Sequence, residues 1–305
     1  MSKPRPLRSL PSPVRHFFRA RRSIAASFAL ALTAGTAHAQ ARDSLPAYEV
    51  YAVRFATVVG YPTRSLVVGA DSALRSDLAM TVWLVRNRAT RRTVLVDAGF
   101  YRDKFLTRWK PATYMKPTEA LAALGVRPED VTDIVVSHVH WDHLDGVDLF
   151  PSARVWIQRA EMEHYTNDSG AVLDRAIDPD DAKMLAALSR ARRVQLVDGD
   201  STQIIPGITV FTGGKHTFES QYVAVRAQLA GSRTGTVVLA SDNAYLYENL
   251  ERRRPIAQTL DSVSNVRAQA RMLTMASERR LVVPGHDGEV FVRFPKPGNG
   301  IARIE

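Results

Sequence analysis

Residues 137–146 read SHVHWDHLDG, which puts His138, His140, Asp142 and His143 within six consecutive positions. The apolar run DIVV (133–136) leads into them. In extended backbone alternate side chains point to the same side, so His138, His140 and Asp142 can converge. His143 follows where the chain should turn into a helix, and it offers a donor from another direction. Neutral imidazoles beside a carboxylate suit a borderline divalent ion such as zinc, iron, manganese or cobalt. One short cluster can still be a polar loop, so the other histidines carry the argument.

The chain has eight histidines. His16 and His38 fall in the first 39 residues, and His164 lies in a polar helical stretch where a solvated surface residue is expected. The remaining two, His216 and His286, each close an apolar β run: ITVFTGGKH (208–216) and RLVVPGH (280–286). Asp242 does the same in TVVLASD (236–242). Four separate strands therefore deliver His or Asp at their C-terminal ends, where the loops of an α/β fold gather into a site.

The wider pattern alternates β-rich runs with helical segments, which argues for an α/β architecture. YEVYAVRFATVV (48–59), MTVWLVRN (80–87) and RTVLVDAG (92–99) read as strands, as do TDIVVSH (132–138) and ARVWIQR (153–159). PTEALAALGV (117–126) predicts a helix with Thr118 as N-cap and Gly125 as stop. Helical periodicity returns in AEMEHYTN (160–167) and DDAKMLAALSRARR (180–193). A second β series follows in VQLVDG (194–199), GITVFTG (207–213), QYVAVRAQL (221–229) and GTVVLASD (235–242). A long helix is expected across 256–276, then a final strand and loop in RLVVPGHDG (280–288). Two β-rich halves, each followed by helices, predict two stacked sheets with helices outside, folded as one domain over residues 40–305.

Charge excludes one class of partner. The net charge of +10 includes seven basic residues before position 40, with no acidic residue among them, which leaves +3 on the remainder. So near neutrality there is little electrostatic support for a nucleic-acid partner. The basic leader, the apolar run Ile24–Ala34 and the small residues Ala37 and Ala39 read as an export signal over residues 1–39. That run is too short to span a bilayer of roughly 30 Å as a helix. The expected location is periplasmic or secreted, with no membrane attachment after cleavage. The chain has no cysteine, so disulfides, thiolate ligands and lipoprotein attachment are excluded. GGKHT (213–217) is not a phosphate-binding P-loop, and no G-x-S-x-G elbow exists.

His138-x-His140-x-Asp142-His143, with His216, Asp242 and His286 further along, resembles the metallo-β-lactamase superfamily. The resemblance covers the chain after the leader and implies an αβ/βα sandwich with a two-metal site along one edge. It implies that His138, His140 and His216 hold one ion, that Asp142, His143 and His286 hold the other, and that Asp242 bridges them. Asp97, in VLVDAG, matches the aspartate that sets the orientation and tautomer of a ligand histidine. Two divalent cations against the carboxylates of Asp142 and Asp242 leave positive charge, which favours hydroxide from bound water and hence hydrolysis.

Within the superfamily, the missing cysteine and the presence of Asp242 point away from the β-lactamases. Tyr245, three residues after Asp242, resembles the N-acyl homoserine lactonases, as do WDHLDG (141–146) and GKHTFESQY (214–222). The resemblance implies that Tyr245 holds the lactone carbonyl oxygen and that Asp142 passes a proton to the leaving alkoxide. Trp141, Phe100 and the stretch 61–80 are expected to line an apolar channel, and Tyr247 is given no role. The expected partner is a small lactone or ester, and a homodimer stays open. Two rival readings remain: a phosphotriesterase of the methyl-parathion-hydrolase type and a non-hydrolytic di-iron redox protein.

Overall fold

The computed structural model describes residues 45–305, so the leader read over residues 1–39 lies outside the described residues. Among the described residues thirteen strands form two sheets. The first seven are β1 (Glu49–Pro62), β2 (Arg75–Asn87), β3 (Arg92–Val96), β4 (Thr113–Tyr114), β5 (Asp133–Val135), β6 (Arg154–Gln158) and β7 (Val194–Val197). The rest are β8 (Thr202–Ile205), β9 (Ile208–Thr212), β10 (Gln221–Gln228), β11 (Thr234–Ser241), β12 (Val282–Pro284) and β13 (Ile301–Arg303). One sheet runs β13-β1-β2-β3-β5-β6-β7, with β4 added beside β1, and the other runs β12-β11-β10-β9-β8. The pairs β3–β5, β5–β6, β6–β7 and β11–β12 are parallel; the others are antiparallel.

Side-chain alternation explains the layering. In β2, Leu78, Met80, Val82 and Leu84 feed one apolar cluster, while Ala79, Trp83 and Val85 feed another. A strand buried on both faces lies at the centre of a stack. The first cluster packs against α1 (Asp103–Trp109), α2 (Pro117–Ala122), α3 (Trp141–Leu144), α4 (Arg159–Tyr165) and α5 (Pro179–Arg190). The second joins the two sheets and reaches Ala268 and Met272 of α7 (Ser262–Met275), which follows the short α6 (Tyr247–Arg252). The result is the expected four-layer αβ/βα sandwich. Among the described residues no helix is long and apolar enough to cross a membrane.

Two expectations are corrected, and two strands went unread. Thr118 is not an N-cap: Pro117 takes the first helical position, Lys116 precedes it, and the Lys116 N–H donates to Glu119 Oε2 at 3.3 Å. Proline suits that position because its missing N–H would have no helical partner anyway. The long helix starts at Ser262 rather than near 256, because the Asp261 side chain accepts the N–H groups of Val263 and Ser264. Residues 256–260 instead run along the site described below. Strands β8 and β13 were hidden in the sequence. The first is the partner of β9 across the Pro206–Gly207 turn, and the second returns from the C-terminus to pair with β1.

Candidate metal centre

All seven predicted donors meet at one edge of the sandwich. His138 and His140 follow β5, and His140, in extended backbone, takes the N-cap position of α3, whose single turn presents Asp142 and His143. His216 follows β9, Asp242 follows β11 and His286 follows β12. The approach is close: a Cβ on Gly285 would lie 2.9 Å from Asp242 Oδ1 and from the Ser241 backbone, so only glycine fits there. Asp97 and Ser241 both sit in left-handed backbone at strand ends, with φ of 61° and 46°. Such strain gathers at functional sites.

The donors fall into two groups, His138–His140–His216–Asp242 and Asp142–His143–His286, with the ligand atoms of each within 4.8 Å of one another. In the first, His140 Nδ1 lies 3.0 Å from His138 Nε2 and 2.9 Å from His216 Nε2. Asp242 divides its oxygens. Oδ2 lies 3.3 Å from His216 Nε2 and 3.7 Å from His138 Nε2. Oδ1 lies 2.9 Å from His286 Nε2 and 3.3 Å from His143 Nε2. Asp142 Oδ2 completes the second group, 3.4 Å from His143 Nε2 and 3.6 Å from His286 Nε2.

The donor set fits divalent ions. Around a tetrahedral ion bound at about 2.05 Å, neighbouring donors stand roughly 3.3 Å apart, and the observed separations bracket that value. Three imidazole lone pairs cannot all be satisfied by one another's protons, whereas a cation satisfies them together. Among the described residues His143 Nε2 and Asp242 Oδ1 are buried without a hydrogen-bond partner, and both face the donor cluster. Burial, reinforced by the neighbouring imidazoles, holds His138 far below its usual pKa and pushes His140 down to about 3. These rings are ready as neutral ligands. In the second group burial opposes every charge, yet Asp242 and Asp142 raise His143 and His286, and these imidazoles hold both carboxyls low.

Hydrogen bonds behind the ring fix the inward nitrogen of three histidines. The His143 Nδ1–H donates to Asp97 Oδ2 at 2.8 Å, as expected of Asp97, whose Oδ1 accepts the Ser137 N–H at 2.8 Å. The His216 Nδ1–H donates to the Gln258 carbonyl at 2.7 Å. His138 Nδ1 lies 2.9 Å from Ser137 Oγ, which is 2.8 Å from Ser241 Oγ, itself 3.0 Å from Asp97 Oδ2. Asp97 thus anchors His143 directly and His138 through two hydroxyls. Such outer partners select the tautomer that ligates.

Tyr245 is buried beside the centre, its hydroxyl 3.4 Å from His216 Nδ1. Burial, with Asp242 and Asp142 adding to it, raises its pKa well above the phenol range, so it stays a proton donor. Tyr247 lies elsewhere, its ring 3.7 Å beneath the Arg293 guanidinium. His164 stacks on Phe218 at 4.0 Å and takes no part in either donor group. A cavity of about 140 Å³ opens onto the donors. Trp141 lines it as expected, and Tyr61, Leu66, Leu78 and Met80 line it from the stretch 61–80. Phe100 is corrected: it is fully buried and supports Trp141 from behind, ring to ring at 4.7 Å. Trp109, unforeseen, stacks on Trp141 at 5.2 Å and completes that wall.

Comparison with known proteins agrees with this geometry. The sequence profile of the Metallo-beta-lactamase superfamily matches residues 77–286, a span that contains all seven donors. The chain belongs to the metallo-beta-lactamase superfamily. An N-acyl homoserine lactonase AttM of Rhizobium radiobacter is 30% identical over 183 residues, 58% of this chain and 66% of that one. An N-acyl homoserine lactonase of a Bacillus species is 27% identical over 169 residues, 55% of this chain and 61% of that one. The chain thus spans a little under two thirds of the length of these curated relatives. The solved structure of an N-acyl homoserine lactone hydrolase, with the product N-hexanoyl-L-homoserine at its catalytic metal centre, superposes with a TM-score of 0.65. That likeness, at 18% identity over 82% of this chain and 98% of the other, establishes the shared superfamily fold.

Proposed function

We propose that this superfamily member is an exported two-metal hydrolase that opens lactone rings, with N-acyl homoserine lactones as substrates. The observation that carries the reading is Asp242, whose two carboxylate oxygens face separate donor groups within a single cavity. The lactonase relatives support the substrate class. His138, His140, His216 and Asp242 would hold one ion, and Asp142, His143, His286 and the other oxygen of Asp242 the second. When bound, divalent ions supply Lewis acidity and an acidified water at neutral pH; zinc, iron, manganese and cobalt all suit the donors.

The chain's own residues do the rest. The walls of Tyr61, Leu66, Met80 and Trp109 accept an apolar acyl chain and exclude bulk water. The Tyr245 hydroxyl donates to the lactone carbonyl oxygen as it gains negative charge, where a donor stabilises most. Asp142, ionised at neutral pH and reachable from the cavity, takes the proton released when water adds to the carbonyl carbon. As the ring C–O bond breaks, it returns that proton to the leaving alkoxide, giving the open hydroxy acid. Outside the cell this would consume a diffusible lactone signal, the role called quorum quenching.

The test uses protein purified from the culture or periplasm, its N-terminus sequenced and its metal content measured. Expected are a start near Gln40, two equivalents of metal, and a higher kcat/KM on an acyl homoserine lactone than on an aryl phosphotriester. The opposite preference supports the phosphotriesterase reading. Inertness toward every ester, together with oxygen uptake by an iron-loaded protein, supports the redox one.

A further inference from the structure

Behind the three-histidine group lies a carboxylate that the hydrolysis does not use. Glu161 sits in the first turn of α4 and is fully buried. Among the described residues no lysine or arginine pairs with it. Instead it accepts three hydrogen bonds, each from a loop of the metal centre. Oε1 takes the Val139 N–H at 3.1 Å and the Thr217 hydroxyl at 2.6 Å; Oε2 takes the Glu219 N–H at 2.7 Å. Val139 stands between His138 and His140, and Thr217 follows His216. The same helix adds a second tie, since the Tyr165 hydroxyl accepts the Phe218 N–H at 3.0 Å.

These contacts have a geometric consequence. His138 and His140 belong to the first sheet's loop after β5, and His216 to the second sheet's loop after β9. The loops come from different sheets, yet His140 Nδ1 and His216 Nε2 must stay 2.9 Å apart. A shift of one sheet over the other would separate them. One carboxylate that accepts from both loops holds their spacing directly. Its unpaired negative charge also lies on the protein side of the three imidazoles, where it favours a cation among them.

We propose that Glu161 is a positioning residue for the three-histidine group, clamping its two loops together and setting how tightly that group holds its ion. The inference rests on the metal-binding reading above. Gln replaces Glu at nearly equal volume, but its amide must turn an NH₂ toward one of the three donors and carries no charge. Outer partners of ligands are typically worth about 10–100-fold in metal affinity.

The test titrates the metal-free full-length mature protein with cobalt(II), following absorbance and chelator competition, for wild type and Glu161→Gln. Wild type should show two binding steps. Glu161→Gln should weaken one step by about 10–100-fold, the step that His140→Ala abolishes, and leave the other within about twofold. Thr217→Val removes one donor without touching the carboxylate and should weaken the same step to a lesser degree, while Thr217→Ser restores it. Asp133→Asn controls for general damage: this buried carboxylate binds Arg92, Arg154 and Trp156 at the far end of β5, and its loss should lower Tm without moving either step. Two intact steps in Glu161→Gln, or equal weakening of both, overturns the clamp alone. A wild type that binds fewer than two ions overturns the metal reading and the clamp with it.

Discussion

Asp97→Asn is the sharpest probe of how the centre is held. The substitution leaves the backbone alone, because asparagine tolerates the left-handed φ of 61° as well as aspartate does. The side chain loses its symmetry. In one orientation the amide oxygen still accepts the Ser137 N–H, and the NH₂ then faces His143 Nδ1, now 2.8 Å from a donor. His143 must move its proton to Nε2, the nitrogen that should ligate. In the other orientation the NH₂ meets the Ser137 N–H, leaving two buried donors face to face at a cost of about 1–3 kcal/mol. Neither orientation keeps both bonds. In the first orientation the hydroxyl chain through Ser241 and Ser137 to His138 loses its terminal acceptor as well. Metal affinity should fall by about 10–100-fold, or about 1.4–2.7 kcal/mol, in both binding steps, with His143 the more affected. Chelator competition measures the affinity, and nitrogen-15 imidazole shifts report the tautomer in the metal-free protein. An unchanged tautomer with affinity within about twofold of wild type would refute the argument that Asp97 selects the ligating nitrogen.

Three further outcomes follow from particular contacts. Asp142→Asn should lower kcat for lactone opening by about 10²–10⁴-fold, the usual scale of proton transfer; Tyr245→Phe should cost only about tenfold, one hydrogen bond of about 1.4 kcal/mol, and the reverse ranking in steady-state kinetics would displace Asp142 from its role. Asp145, Asp148 and Asp181 share the single guanidinium of Arg102, and burial, with Asp145 adding to it, pushes the Asp181 carboxyl up to about 8. The folded state therefore keeps a proton that the unfolded chain releases near pH 4, so wild type loses stability between about pH 4 and 8; Asp181→Asn should abolish that slope in Tm against pH, and parallel curves for the two proteins would contradict it. Gly146→Ala places a Cβ 2.2 Å from the Ala98 carbonyl oxygen, beside the Asp97 turn. Overpacking of about 1–3 kcal/mol should lower Tm by several degrees in a thermal melt.

The donors were legible because metal chemistry restricts them to a few residue types, and His138, His216, Asp242 and His286 each close an apolar run whose β character is local. His216 and His286 announce themselves by position as much as by identity. The layering was legible for a similar reason: continuous burial along MTVWLVRN requires cover on both faces. Less visible were the residues that act through another group. Glu161 sits in AEMEHY, where a charged helix face is the ordinary reading, and only the fold turns it inward. Gln258 contributes a backbone carbonyl, which no side-chain pattern encodes. Helix boundaries failed where the site overrode propensity, as at residues 256–260, drawn out along His216 until Asp261 caps the helix. Phe100 was expected in the cavity wall and Trp109 was given no place there, since the sequence marks both as apolar but does not say which one faces the cavity.

Charge links the two kinds of residue. Asp97 and Glu161 are fully buried, and neither has a lysine or arginine partner among the described residues. Burying an unpaired carboxylate is costly unless something nearby compensates it. Asp142 and Asp242 add two more negative charges within the same few ångströms. On the proposed reading, two divalent cations meet four carboxylates, and the cluster as a whole approaches neutrality inside an apolar sandwich. The compensation is uneven in space. Only Asp142 and Asp242 belong to the donor groups, while Asp97 and Glu161 act from behind the imidazoles, so the cavity side keeps a positive field where a carbonyl oxygen would approach. Removing the ions then leaves the four carboxylates compensated only by the imidazoles of His143 and His286, which Asp242 and Asp142 raise against burial. The metal-free protein should accordingly loosen first at the ligand loops, which tie the two sheets together, rather than in the apolar layers behind them.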